Sequence, residues 1–353
     1  MSPDNDLSIQ SLIAKIKSYL PVADLDLVRL AYEFAAAAHE GQFRKSGEPY
    51  ITHPLAAAHY LADQKIDPII ICATLLHDVP EDTAIKMEEI KKNFGSEITS
   101  LIEGITKLGK LKYRGVERYL ENLRKMFIAM AEDVRVMIIK FADRIHNLRT
   151  IEALQPQKRY RVALESLEIY APIANRLGMD EMRGELEDLS FEYVYPKEYA
   201  RIKALREEKL TGKEEYFKKI IQKAKAELEK SGVKLIAIYG RNKRLYSLYQ
   251  KLLKKNNDLA KIYDVVAIRI IVSTIADCYA TLGILHNLWK PLTGRIKDYV
   301  SQPKPNGYQS LHTTVFSDAG EIVEFQIRTS DMHEEAEYGV AAHWHYDEHG
   351  SRL

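Results

Sequence analysis

Four side chains able to hold a cation are spread along the first half of the sequence: His53, the adjacent pair His77 and Asp78, and Asp143. Each stands among apolar residues at helical spacing, so folding carries it inward. Imidazole and carboxylate together suit a divalent transition ion such as Mn²⁺, which accepts mixed nitrogen and oxygen ligands and leaves positions open for water and phosphate. A lone histidine on an apolar helix face, such as His39 or His59, reads as an ordinary core residue. The pair after Ala73-Thr74-Leu75-Leu76 does not, because two strong polar groups there are costly to bury without a partner or a metal. Glu81 and Asp82 follow at a spacing of four, which in a helical turn sets them beneath the pair and facing the same site. A cation-bound water beside an accepting carboxylate is what phosphate hydrolysis requires. The plainer alternative is that Glu81 and Asp82 only start a helix after Pro80.

The second half carries a different set. Gly240-Arg241-Asn242-Lys243 closes a strand-like run and opens a helical one, bringing cations and backbone donors to where a phosphate chain could lie. Lys243, Ser247 and Lys251 recur every four residues, a stripe that alone reads as a solvated face. The later cluster Arg295, Lys297, Lys304, Asn306, Tyr308, Gln309 and His312 changes that balance, with Pro303, Pro305 and Gly307 shaping the loop. Cations for pyrophosphate beside an aromatic face for a base make a nucleotide pocket. Asp264 and Glu324, each flanked by apolar residues in strand-like segments, can hold Mg²⁺ against triphosphate oxygens, which suits phosphoryl or pyrophosphoryl transfer.

The elements that must position these groups differ between the halves. Over residues 7–195 apolar residues recur at helical spacing, as in Leu27, Leu30, Ala31, Phe34 and in Val134, Ile138, Ile139, Phe141, Ala142, which predicts an all-α first half. Residues 196–231 are rich in Lys and Glu and predict exposed connecting helices, with a domain boundary between 199 and 200. Beyond it, residues 233–239, 265–272, 309–316 and 322–327 are rich in β-branched side chains and predict strands. Helices at 243–255 and 275–289 fall between them, giving an α/β or α+β second domain with a mixed sheet.

At 353 residues two domains are expected. Charged residues make up 29% of the chain yet the net charge is +1, so no global field draws it to DNA or an anionic membrane, and anion binding must be local. The longest apolar run, residues 69–76, is too short to span a bilayer, and the N-terminus is polar rather than signal-like, which predicts a cytoplasmic protein. Cys72 and Cys278 read as free buried thiols.

Three stretches carry a resemblance: Gly41-Gln42-Phe43-Arg44-Lys45-Ser46-Gly47-Glu48-Pro49-Tyr50, His77-Asp78-Val79-Pro80-Glu81-Asp82-Thr83, and residues 140–150 around Asp143 are similar to the HD-type hydrolase domain of the Rel/SpoT family. Residues 240–252, 263–272, 294–315 and 324–329 resemble that family's synthetase domain, which is related to nucleotidyltransferases. The resemblance implies a bifunctional alarmone enzyme of the stringent response. One centre hydrolyses the 3′-pyrophosphate of (p)ppGpp to give GDP or GTP, and the other transfers pyrophosphate from ATP to the 3′-OH of GDP or GTP. It implies Mn²⁺ on His53, His77, Asp78 and Asp143, with Glu81 and Asp82 as the catalytic acidic pair and guanosine contacts from Arg44, Lys45, Ser46, Asn147 and Thr150. In the synthetase it implies Arg241 and Arg269 around adenine and Lys243, Ser247 and Lys251 on the phosphates. Mg²⁺ falls to Asp264 and Glu324, with Glu324 also activating the acceptor, and Tyr308 stacks guanine with Lys304, Asn306 and His312 nearby. Arg295-Ile296-Lys297-Asp298 resembles the basic form of a motif that is acidic in synthetase-only members, which favours both activities. Long members of the family continue into regulatory TGS and ACT domains, so the chain reads as an N-terminal catalytic region whose partners are nucleotides, with ribosome contact left to those domains. A purely regulatory reading would need missing ligands, and none is missing. A single-activity enzyme, either a generic HD nucleotidase or a synthetase with a silent hydrolase, is the second alternative, which assays of the two reactions separate.

Overall fold

Side-chain oxygens start three helices of the first half: Ser8 accepts from the Ser11 amide, Asp24 from Leu27 and Asp67 from Ile69, each satisfying a backbone donor that a helix start leaves orphaned. The structure is a computed structural model that describes residues 7–109, 124, 126–257 and 266–342. It divides into two compact units, the first reaching Tyr170 and the second running from Ala171 to Val340.

In the first unit Pro68–Leu76 is the central helix. Proline at its first position costs no hydrogen bond, and every residue but Ile69 is buried, as expected of a helix that is apolar all round. Around it pack Leu25–Ala38, Thr52–Asp63, Arg135–Arg149 and the two helical stretches of Met87–Gly109, which meet at Gly95 with φ +79°. Among the described residues this unit is helical apart from one isolated bridge between Phe43 and Pro49, in agreement with the all-α expectation. Because the central helix ends at Leu76, it delivers His77 and Asp78 at its C-terminal end. Val79–Asp82 then forms a single turn that holds Pro80 in its first residues, where the missing N–H is harmless.

The second unit is built on a mixed five-stranded sheet in the order β1-β2-β5-β4-β3, with β1 Leu235–Asn242, β2 Val266–Val272, β3 Lys297–Asp298, β4 Leu311–Phe316 and β5 Ile322–Thr329. β2 and β5 run parallel and the other pairs antiparallel. Alternation decides the two faces. Ile268, Ile270, Leu311, Val315, Val323, Phe325 and Ile327 point to one side, where Glu214–Lys230 and Ile275–Leu288 cover them and Trp289 stacks on Phe325. The other face carries Arg241, Arg269, His312, Glu324, Gln326 and Arg328. The short β3, too brief to leave a periodic signal, is the one strand that the sequence did not announce.

Helices Asp180–Val194 and Pro196–Leu210 belong to this second unit. Phe191 and Ile202 pack with Leu245, Leu248, Tyr249 and Leu252 of the Leu245–Lys254 helix. The packing boundary therefore lies upstream of the compositional change near residue 200. Both cysteines are free and buried, and no described helix is long and apolar enough to cross a membrane.

Candidate active sites

The first cluster is assembled from the middle of one helix and the ends of two others. His53 comes from Thr52–Asp63, His77 and Asp78 from the end of Pro68–Leu76, and Asp143 from the middle of Arg135–Arg149. His53, His77 and Asp143 are buried and offer ligand atoms within 4.8 Å of one another. His53 Nε2 lies 3.3 Å from Asp143 Oδ1 and 3.7 Å from Asp78 Oδ2, and His77 Nε2 lies 3.1 Å from Asp78 Oδ1.

The surrounding hydrogen bonds fix which nitrogens carry protons. His77 Nδ1 meets the Thr74 carbonyl at 2.7 Å and must donate to it, which turns a bare Nε2 toward the cluster. That Nε2 is buried without a hydrogen-bond partner among the described residues. Arg44, which can only donate, reaches His146 Nδ1 at 2.9 Å, so His53 Nδ1, 2.7 Å from the same atom, is also a donor and its Nε2 is likewise bare. Burial, with His53 and Arg44 beside it, holds His146 down to about 3, consistent with a neutral acceptor. Two bare imidazole nitrogens facing carboxylates across about a hydrogen-bond length have acceptors on both sides and no proton between. A divalent cation satisfies that arrangement, and His53, His77, Asp78 and Asp143 fit it.

Neighbouring residues hold the ligands still. Lys140 donates to Asp143 Oδ2 at 2.7 Å and Asn147 to Oδ1 at 2.5 Å. Burial would raise the Asp143 carboxyl, but the Lys140 ammonium beside it brings it well below the usual range. Tyr50 donates to Asp78 at 3.0 Å and to Asp82 at 2.6 Å, and His39 stacks on its ring at 4.5 Å. Burial and those two carboxylates push the phenol far above its ordinary value, so it stays a donor. Glu81 is exposed, and the partial burial of its carboxyl raises it. Of the expected guanosine contacts, Arg44 donates to Asn147 at 3.0 Å and Thr150 to the His146 carbonyl at 3.1 Å, so both adjoin the cluster. Lys45 and Ser46 sit exposed at the tip of a tight turn closed by Arg44 and Glu48, where Gly47 takes φ +90°. Sequence reasoning missed Tyr50 and Lys140 as holders, since a tyrosine ahead of a helix and a lysine on one carry no distinguishing pattern.

The second site is a cavity of about 810 Å³ on the polar face of the sheet. Ten lysines or arginines line it with two carboxylates, Asp180 and Glu324, while Glu181 pairs with Arg244 and Glu187 lies beside Arg183 from outside the lining, a strongly cationic wall that suits a polyanion. Arg241, Lys243, Ser247 and Lys251 reach it from β1 and the helix that follows, and Arg295, Lys297 and Lys304 from the β3 region. The Leu245–Lys254 helix turns Leu245, Leu248 and Leu252 inward, which leaves Ser247 and Lys251 for the cavity. Its first turn is capped from outside, since Asp188 accepts from the Tyr246 amide at 2.9 Å.

Tyr308, Asn306 and His312 also line the cavity. The loop that presents Tyr308 is closed by bonds between Lys304 and Tyr308 and by Gly307 at φ +79°. Tyr308 Oη lies 2.8 Å from His312 Nε2, and His312 Nδ1 is 3.1 Å from Glu324. Lys304 Nζ lies 4.2 Å from the centre of the Tyr308 ring. Burial lowers His312 despite the Glu324 carboxylate, leaving the imidazole neutral. Among the described residues two expected side chains are not in the lining, Arg269 and Gln309, the latter donating to the Val300 carbonyl at 3.0 Å. Arg269 is 2% exposed and bonded to Glu337 at 2.7 Å, and Asp264 lies outside the described residues. Conversely, Arg176 and Arg183 line the cavity without having been expected. They flank a turn at Gly178, φ +75°, in a segment whose helical periodicity pointed to packing alone.

Comparison with known proteins agrees with both halves of this geometry. The HD domain family matches residues 31–180, and the family described as a region found in RelA/SpoT proteins matches residues 240–351. The chain is 46% identical over 349 residues to a guanosine-3′,5′-bis(diphosphate) 3′-pyrophosphohydrolase of Aquifex aeolicus, covering 99% of this chain and 50% of that protein. It is 47% identical over 342 residues to the bifunctional (p)ppGpp synthase/hydrolase SpoT of Escherichia coli, covering 97% and 49%. With a GTP pyrophosphokinase of Streptomyces coelicolor it shares 48% over 327 residues, covering 93% and 38%. The chain spans about half the length, or less, of these relatives. With an HD domain and a region found in RelA/SpoT proteins in one polypeptide, similar along nearly its whole length to proteins named for (p)ppGpp hydrolysis and synthesis, the chain belongs to the Rel/SpoT family.

Proposed function

We propose that the chain carries both catalytic centres of a bifunctional alarmone enzyme: manganese-dependent hydrolysis of (p)ppGpp in the first unit, and magnesium- and ATP-dependent synthesis of (p)ppGpp in the second. The observation that carries this reading is that a cluster of three buried ligands with Asp78 beside it and a cationic cavity with a base-sized aromatic face occur in the same chain.

In the hydrolase centre His53, His77, Asp78 and Asp143 would hold Mn²⁺, whose role is to acidify water and neutralise phosphate charge. Asp82, fixed by Tyr50, and Glu81 are the bases that accept the water's proton. The water oxygen bonds to the phosphorus on the ribose 3′ oxygen, the bond to that oxygen breaks, and pyrophosphate leaves with the 3′-OH restored. Arg44, Lys45, Ser46, Asn147 and Thr150 bind the guanosine side, Arg44 and Asn147 being oriented by each other.

In the synthetase centre Lys243, Ser247, Lys251, Arg295 and Lys297 hold the ATP phosphates, and Glu324 with Asp264 would hold Mg²⁺. Arg241 pairs with Ala267 and Arg269 with Tyr239, so the two arginines are diagonal neighbours on one face, roughly 7–8 Å apart. That spacing admits one flat base between two guanidinium planes. Tyr308 stacks guanine, with Lys304 sliding from its ring to the acceptor's phosphates and Asn306 and His312 beside it. Glu324 takes the proton of the 3′-OH, whose oxygen bonds to the β-phosphorus of ATP as the bond to the α-phosphate breaks and AMP leaves.

Incubating the protein with ppGpp and Mn²⁺, and separately with GDP, ATP and Mg²⁺, tests the reading. GDP with pyrophosphate in the first reaction and ppGpp with AMP in the second are expected. Failure of the first alone leaves a synthetase, failure of the second alone a hydrolase, and failure of both removes the proposal.

A further inference from the structure

Beneath the synthetase cavity two arginines are buried almost completely, Arg269 at 2% exposure and Arg328 at 1%. They stand on adjacent parallel strands, where Arg269 pairs with Gln326 and Arg328 with Ile271, so two like charges are diagonal neighbours out of reach of water. One carboxylate oxygen lies between them. Glu337 Oε1, on the Ser330–Tyr338 helix that follows β5, is 2.7 Å from Arg269 Nη1 and 3.5 Å from Arg328 Nη1. Burial alone would raise that carboxyl, yet Arg269, Arg241 and Arg328 bring it below its ordinary value. Glu337 is the one carboxylate paired with either guanidinium among the described residues, and a buried cation that loses its anion is strongly penalised, so the position of each depends on this side chain.

The chain of contacts continues beyond Arg328. Its Nη2 donates to Tyr308 Oη at 2.6 Å, Tyr308 Oη meets His312 Nε2 at 2.8 Å, and His312 Nδ1 meets Glu324 Oε1 at 3.1 Å. Because a carboxylate can only accept, the neutral imidazole must donate from Nδ1 to Glu324, which leaves Nε2 to accept the Tyr308 proton while Tyr308 Oη accepts from Arg328. Every proton along the line thus has an assigned direction, ending on a Glu324 that is an ionised acceptor. Arg269 Nε and Nη2 are left without hydrogen-bond partners among the described residues.

We infer that Glu337 is a positioning residue for both nucleotides, fixing the adenine-side Arg269 and, through Arg328, the Tyr308–His312–Glu324 line on the acceptor side. The inference rests on the synthetase reading above. It differs from that reading in assigning work to two residues, Glu337 and Arg328, that lie under the cavity rather than in its wall. Tyr308 accordingly has two separable parts: a ring for the base and a hydroxyl that orients His312.

The test uses the whole chain with Glu337→Gln, Arg328→Lys and Tyr308→Phe, titrated calorimetrically with a non-hydrolysable ATP analogue and with GDP, and assayed for ATP–GDP turnover. Glu337→Gln is expected to weaken the ATP analogue by about tenfold and, through Arg328, to lower kcat by about tenfold, the scale on which residues supporting a site act. Tyr308→Phe keeps the ring, so GDP affinity stays within about twofold while kcat falls by about tenfold. Arg328→Lys should follow Tyr308→Phe in kcat and leave the ATP analogue unaffected, which keeps the idea exposed if Glu337→Gln fails to fold. Glu337→Gln binding the ATP analogue like the unaltered chain, or Tyr308→Phe turning over at the unaltered rate, overturns the inference while the synthetase reading stands. An unaltered chain that binds neither nucleotide overturns both.

Discussion

The two centres solve opposite problems. The first is small, buried and fixed: every ligand oxygen or nitrogen has a neighbour that orients it, from Thr74 behind His77 to Lys140 and Asn147 on Asp143. The second is a cavity of about 810 Å³ with ten long cations on flexible stems in its lining and order concentrated beneath its floor. On the proposed function, the difference follows from what each would hold. A metal ion tolerates only a few tenths of an ångström of error in its ligands, whereas two nucleotides with long phosphate chains need charge that can rearrange around them. Rigidity therefore sits in the ligands themselves in one site and one layer deeper in the other.

That contrast can be broken most sharply at His77. Removing a ligand from a fixed set strands the others, so His77→Ala should lower manganese-dependent ppGpp hydrolysis by more than about a hundredfold while synthesis continues. Parallel assays of the two reactions on one preparation decide it, and hydrolysis surviving in the variant would contradict the ligand assignment. In the cavity single losses should be graded rather than total. Tyr308→Ala is expected to weaken GDP by one stacked base, roughly 1–3 kcal/mol, and Glu324→Gln to reduce turnover with GDP affinity nearly intact. Equal losses of affinity in the two would contradict the division of roles.

A third prediction uses the interior beside the cavity. Burial pushes the Glu187 carboxyl up to about 7. The unfolded chain releases that proton near the ordinary glutamate value, so the folded form binds more protons across the window between. Stability from this group is full at low pH and is lost as pH rises through about 7. Glu187→Gln should match the unaltered chain near pH 5 and exceed it by on the order of 2 kcal/mol at pH 8. Denaturant melts of the second unit at the two pH values measure the gap, and a constant difference would refute the buried-acid explanation. The smallest effect is expected at Tyr50, which supports ligands without touching the metal. Tyr50→Phe should slow hydrolysis by about tenfold and leave synthesis unchanged.

Much of this was already present in the one-dimensional pattern. Helical periodicity in the first half, β-branched runs in the second and the local clusters around His77, Asp143, Arg241 and Tyr308 follow from short-range physics: a residue's neighbours at two, three and four positions set its face and its element. The tertiary structure alone decided the rest. It put Asp180–Val194 with the second unit, because Phe191 finds its apolar partners on the Leu245–Lys254 helix, which no local spacing reveals. It brought Arg176 and Arg183 into the cavity and drew Arg269 beneath it. It also joined Glu337 to Arg269 and Arg328, since contacts between residues tens of positions apart are fixed by strand register and helix packing rather than by anything written at either position.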